Sequence, residues 1–309
     1  MLLRPGTTCA EAIKFLEALT DQGLNDVQNA VPHLVPGAAE EPLTRIRKIE
    51  ALRHAVNRYD QWTLAAGKQL SEVFAERSVT ARMRGERYYN VVYGAFAEAR
   101  QAQLLNTELQ ELRTYFMELA NELRRIQEKH KRHQGQTVVL DTNDLLHYSR
   151  YDKIPWQKVY GKGTVVVVPH VVVDEIDKKS YATSDTVRRR ARGVFALLEQ
   201  TLTEQSKGRP AAGETTVEVM LDEPGHVRLP NNDDEIVARA CELKQAIAPA
   251  PVTVLTGDNG MRARALAWGL AADKLPEKYR IERIDAQKKA EYLQSITGPE
   301  EPETAASGG

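Results

Sequence analysis

The sequence predicts an all-helical N-terminal region joined to an α/β domain built on a parallel sheet. Two observations carry that reading. From Thr8 to about Lys131 the apolar residues recur only at helical spacings of three and four. After Gln134-Gly135, short β-branched runs alternate with helical patterns, as expected of a sheet covered on both faces. The length of 309 residues, about twice a typical domain, accommodates both parts. The expected division is 1–134 helical, 135–296 α/β, and a tail at 297–309 that lacks apolar anchors and is expected to be disordered.

In chain order, a first helix is expected from about Cys9 to Asp21, then a Pro/Gly-rich loop over Val31–Gly37. A second helix opens at Glu41-Pro42, where proline suits the first turn, and reaches about Phe74. Its Leu43, Ile46, Ile49, Leu52, Val56 and Tyr59 share one face. Arg82, Arg84, Arg87, Tyr88, Tyr89 and Tyr93 then set cations beside aromatics, either as a helix surface over core tyrosines or as a single-strand-binding surface. Leu105, Leu109, Leu112, Phe116, Leu119, Leu123 and Ile126 follow as a heptad seam about three heptads long. The seam is read first as packing against other helices of the chain, and alternatively as a coiled-coil arm for a second copy or a protein partner.

In the back half, strands are expected at Thr137–Leu140, Thr164–Val168, Thr216–Met220 and Val252–Leu255, with helices between them. A carboxylate stands where each unit turns from strand to helix: Asp141, Asp174-Glu175, Asp233-Asp234 and Asp258. Parallel sheets place their chemistry at the carboxyl ends of the strands, so these acids are expected to converge. Clustered carboxylates raise one another's pKa unless a cation sits among them. An all-oxygen donor set, with no Cys/His cluster nearby, points to Mg²⁺ or Mn²⁺ rather than zinc, and such ions serve phosphodiester hydrolysis.

These residues resemble the PIN domain nucleases. Val138-Val139-Leu140-Asp141-Thr142-Asn143 is similar to the family's opening strand, with its Asp and an Asn two positions later. Glu175-Ile176 resembles the second acidic position, Asp233 through Ala240 the third, and Thr256-Gly257-Asp258 the fourth. Spacing favours Asp233 as the third acid, and Asp234 is kept beside it because many members double this Asp. The resemblance implies a ribonuclease in which Asp141, Glu175, Asp233 and Asp258 hold one or two Mg²⁺ or Mn²⁺ ions. Asn143 and Thr256 would support them by hydrogen bonds. The alternative is a catalytically weak PIN-like scaffold that binds RNA or protein. A phospho-accepting receiver domain would also set an Asp after an apolar strand, but the acidic pair and the Lys it needs are not in the expected places.

Arg188, Arg189, Arg190 and Arg192 are read as a rim for substrate phosphates, or else as a solvated helix face. Trp156 and Tyr160 lie in a segment that could stack a base or pack internally. His147 and His170 flank the first two acids and are read as structural. The net charge of −1 is nearly balanced in both halves, so RNA would have to be met by a local patch rather than a global field. Cys9 and Cys241 stand far apart and suggest neither a disulfide framework nor zinc. No apolar run is long enough to span a bilayer, and no export signal precedes Pro5-Gly6, so a cytoplasmic location is expected.

Overall fold

The computed structural model describes residues 3–29, 31, 41–206 and 215–288. The expected loop beyond Val31 and the tail at 297–309 lie outside the described residues. The chain divides into two units: Met1–Gln134 with Cys241–Pro251, and Gly135–Ala240 with Val252–Gly309.

The first unit is helical. Helix α1 (Cys9–Ala18) begins at a capping box in which the Thr8 hydroxyl accepts from Glu11 N at 3.2 Å and Glu11 accepts from Thr8 N at 2.9 Å. Where one helix to Asp21 was expected, α1 gives way to a π-helical stretch, Leu19–Leu24, and then to α2 (Asn25–Gln28). Helices α3 (Pro42–Val73), α4 (Arg77–Ala81), α5 (Glu86–Tyr93) and α6 (Glu98–Lys129) follow. The buried face of α3 starts only at Leu52. Leu43 and Ile46, expected on that face, are 69% and 53% exposed.

The seam of α6 is filled from within the chain. Leu105, Leu109, Leu112, Phe116 and Leu123 are buried, and α6 packs chiefly on α1 and also on α3 and α5. Its apolar positions are therefore not an open strip awaiting a second copy. Beneath the cation and tyrosine patch, Glu108 is 1% exposed and accepts from Arg82 at 2.9 Å and from the Tyr59 hydroxyl at 3.4 Å. A carboxylate this deep is costly to bury without such partners. Arg84 bonds Asp60 and Tyr88, and Arg87 pairs with Glu111, so the three arginines already have internal partners. Tyr88 is buried, whereas Tyr89 and Tyr93 are exposed.

The second unit is a parallel sheet flanked by helices. Strand β1 (Thr137–Leu140) leads to α7 (Thr142–His147) and α8 (Trp156–Tyr160). Strand β2 (Val165–Pro169) leads to α9 (His170–Lys179) and α10 (Asp185–Ser206). Strand β3 (Thr216–Met220) precedes α11 (Asn232–Ile247), and β4 (Val252–Leu255) precedes α12 (Asn259–Ala267). A fifth strand, β5 (Ala271–Asp273), was not expected from the sequence. The order is β3-β2-β1-β4-β5, every pair parallel, with Val138 opposite both Val166 and Thr253. Val138, Val139, Val166, Val168 and Val254 are fully buried, which is why these strands read as unbroken apolar runs.

The chain starts in the middle of this sheet, adds β2 and β3 on one side, then crosses to β4 and β5 on the other. The connections thus diverge between β1 and β4, and such a switch point opens a crevice at the carboxyl ends of the strands.

Because the seam is internal, Leu112→Ala is expected to lower unfolding free energy by about 2–5 kcal/mol without changing the sedimenting mass. Urea denaturation and sedimentation velocity check this. An unchanged stability with a smaller assembly would place the seam at a subunit interface instead.

Candidate active site

Asp141 follows β1 directly and lies 5% exposed at the switch point, its backbone N–H donating to Leu255 O at 3.3 Å. The Thr256 hydroxyl, wholly buried at the end of β4, donates to Asp141 Oδ2 at 2.8 Å and accepts from Asp258 N at 3.0 Å. Thr256 N also donates to Asp273 O at 3.0 Å. One threonine thus ties the ends of β1, β4 and β5 together and fixes the rotamer of the first acid. Burial raises the Asp141 carboxyl above its ordinary range. The Thr256 hydroxyl and the Thr142 N–H oppose that rise, and the charges of Asp233 and Glu175 add to it.

Glu175, in the middle of α9, accepts from the Thr142 hydroxyl and from Asn232 Nδ2, the latter at 2.6 Å. Asn231 caps α11, its side chain accepting from Asp233 N at 2.8 Å and Asp234 N at 3.3 Å. Arg264 on α12 reaches both acids of that first turn, Asp233 Oδ2 at 2.9 Å and Asp234 Oδ1 at 3.2 Å. Both therefore share one countercharge, and the geometry does not separate them.

Asp258 stands apart. Its carboxylate accepts from Met261 N at 3.0 Å and from Gly260 N as the N-cap of α12, and these bonds, aided by Arg264, hold its pKa below the ordinary value. Asn143 is exposed and bonds none of these acids among the described residues. Of the two expected supporting residues, only Thr256 is bonded to the site. Thr142, Asn231, Asn232 and Arg264 were not anticipated in these roles. The Asn-Asn pair immediately before Asp233 was the one visible hint.

The remaining acids separate clearly. Asp174 lies within α9 and is ion-paired to Arg228, which also bonds Asp222 at 2.6 Å. Glu235 is 2% exposed and turns away from its two neighbours. Its oxygens meet His226 Nε2 at 2.7 Å and Leu229 N at 2.9 Å, fastening the loop that precedes α11. Asp222, His226 and Glu235 bring ligand atoms within 4.8 Å of one another, but hydrogen bonds and ion pairs already engage them. His170 bonds within this network, 3.2 Å from Asp222, in keeping with a structural role. Asp144 is 3% exposed with Oδ2 unpartnered, and burial together with the Asp141 charge pushes its carboxyl up to about 8. Trp156 is buried and donates to Tyr151 O at 2.7 Å, so it is not free to stack on a base.

Among the described residues, no three of Asp141, Glu175, Asp233, Asp234 and Asp258 bring ligand oxygens within 4.8 Å of one another. An open, all-oxygen set of this kind fits a hydrated ion. Mg²⁺ keeps several waters and takes only one or two carboxylates, whereas a dry cage would need closer oxygens. Asp141 is buried, and the nearby charges of Asp233 and Glu175 raise its carboxyl further, a strain that a cation beside it would relieve.

A parallel α/β domain with acids and a buried hydroxyl at its switch point belongs to the class that binds ligands at strand ends. Residues 138–275 match the family model of the PIN domain. The C-terminal half of the chain is therefore PIN-like in sequence and in fold, and nuclease-like at the level of the family. No curated protein matches the chain. No helix among the described residues is long and apolar enough to cross a membrane.

Asp144 provides a test of this electrostatic picture. With its folded pKa above the unfolded value, folding takes up a proton, so stability falls as pH rises from about 4 toward 8. In EDTA, Asp144→Asn is expected to flatten the decline in melting temperature between pH 5 and 8.5 and to melt above the wild type at the alkaline end. Parallel curves for the two proteins would contradict the burial argument.

Proposed function

We propose that this protein is a metal-dependent ribonuclease that hydrolyses RNA phosphodiester bonds, with Mg²⁺ or Mn²⁺ held by Asp141, Glu175 and Asp233. The supporting observation is the buried Asp141 at the sheet's switch point, coupled to the other two acids and oriented by Thr256. Bound there, a divalent ion would neutralise charge developing on the phosphoryl oxygens and lower the pKa of an attacking water.

The chain's own residues set the geometry. Thr256 holds Asp141, while Thr142 and Asn232 hold Glu175. Arg264 balances Asp233 and Asp234, and would be free to meet a phosphoryl oxygen if a bound ion took over that balance. In the reaction, water oxygen bonds to phosphorus, the ester P–O bond breaks, and the proton lost by the water ends on the leaving oxygen or in solvent. Asp258 contributes through α12 and its charge, and Asp234 is the alternative third acid. A soluble, cytoplasmic setting is consistent with this reading.

The salt bridges to Arg264 are also the observation behind a second reading, a catalytically weak RNA- or protein-binding scaffold in which arginine replaces the metal. Cleavage of labelled single-stranded RNA with Mn²⁺, Mg²⁺ or EDTA separates the two. The nuclease reading expects metal-dependent cleavage, lowered about 100-fold or more in Asp141→Asn, since loss of a supporting residue alone typically costs 10–100-fold. A folded protein that cleaves under no condition would leave the scaffold. Cleavage equal in wild type and variant would place the chemistry elsewhere.

A further inference from the structure

The arginine run of α10 does not act as one surface. Arg188 donates to Asp185 Oδ1 at 2.6 Å and to Ala182 O at 3.3 Å, Arg189 pairs with Asp185 at 2.8 Å, and Arg192 donates to Ser180 O at 3.3 Å. Of the four, Arg190 alone has neither a hydrogen bond nor an ion pair from its side chain to a described residue. Helix α10 packs on α7 and α9, which also pack on each other, and Tyr148 just after α7 bridges to Arg280. These contacts gather α10 with Arg190, α9 with Lys179, and Arg280 around the C-terminal end of α7, where His147 stands.

Lys179 likewise has no acidic partner among the described residues. Arg280 is only loosely paired, to Glu282 at 3.4 Å and Glu277 at 3.8 Å, and its buried Nε has no hydrogen bond. Burial and then the charges of Arg190, Arg280 and Lys179 hold His147 below its ordinary pKa, with Glu282 opposing. Three cations carried by elements that meet at one helix end repel, and an incoming anion relieves that repulsion.

Two of these groups lie on a direct path from the acids. Lys179 follows Glu175 by four residues on the same face of α9, about 6 Å along the axis. His147 ends the short helix that Asp141 begins, about 7.5 Å from Thr142.

We propose that Lys179, Arg190, Arg280 and His147 form an anion subsite that holds a backbone phosphate of single-stranded RNA next to the bond being cleaved. This rests on the ribonuclease reading and adds where the strand is gripped. Phosphate contacts of this type set register without reading sequence.

The test uses the full chain carrying Lys179→Ala with Arg190→Ala, with Lys162→Ala as control. Lys162 is exposed before β2, at the opposite edge of the sheet. Binding of a fluorescent RNA decamer is followed by anisotropy against salt in Mg²⁺, in an Asp141→Asn background, with thermal melts confirming the fold. Cleavage is measured in parallel with Asp141 intact. The double variant is expected to bind about tenfold more weakly, with its log–log salt slope shallower by about 1.4, near 0.7 for each lost single-strand phosphate contact. Its KM should rise more than its kcat falls, while Lys162→Ala matches wild type.

If wild type cleaves RNA but the double variant binds with unchanged affinity and slope, the subsite is wrong and the nuclease reading stands. If wild type neither binds nor cleaves RNA, the nuclease reading fails and takes this one with it. If a mononucleotide or pyrophosphate binds as tightly as the decamer, the site takes a free phosphate and the backbone assignment falls.

Discussion

Acids placed at one edge of a parallel sheet repel, and the surroundings of that edge answer this repulsion residue by residue. Asp141 takes a buried hydroxyl, Glu175 takes a hydroxyl and an amide, and Asp233 and Asp234 share Arg264. Asp258 spends its charge on two backbone N–H groups of α12. Asp144 has no compensating partner for one oxygen and is pushed toward its neutral form. These arrangements hold the acids in place without merging their oxygens into one cage, an open set that a hydrated divalent ion would suit.

The sheet and the loops around it make that arrangement rigid. Asp141 and Thr256 stand at the ends of the two strands flanking the switch point, and Thr256 also bonds Asp273 at the end of β5. On the other side, Glu235 locks the loop before α11 through His226 and Leu229 N, and Arg228 joins Asp222 to Asp174 beside Glu175. The acidic run Asp233-Asp234-Glu235 therefore divides its work. Two residues face the site, and the third is a buried fastener whose loss would free the approach to α11.

The fold was legible because fully buried parallel strands are written as β-branched runs, and Val165–Val168 could hardly be read otherwise. β5 was not, since Ala271–Asp273 is a short edge strand with almost no apolar signal. Sequence order also placed an acid after each relevant strand, but not the direction in which its carboxylate points. Asp258 could serve equally as ligand or cap, and the amides of Gly260 and Met261 settled its direction. Arg264 was illegible because two arginines on a short helix, Arg262 and Arg264, carry no pattern that says which of them reaches the acids. Along the arginine run, helical spacing from Asp185 pairs Arg188 and Arg189 with an acid of their own helix, a pairing that a row of like charges does not announce. Leu43 and Ile46 continue the periodicity of α3 past the point where anything packs on it.

The central claim is that this sheet edge is completed by a divalent cation resting on Asp141. Thermal melting with and without Mn²⁺ or Mg²⁺, for wild type and Asp141→Asn, tests it without requiring a substrate. Binding to the folded state alone must raise the melting temperature with ion concentration. The account predicts a concentration-dependent rise in wild type that is lost or much reduced in Asp141→Asn. No rise in wild type, or the same rise in both proteins, would contradict it.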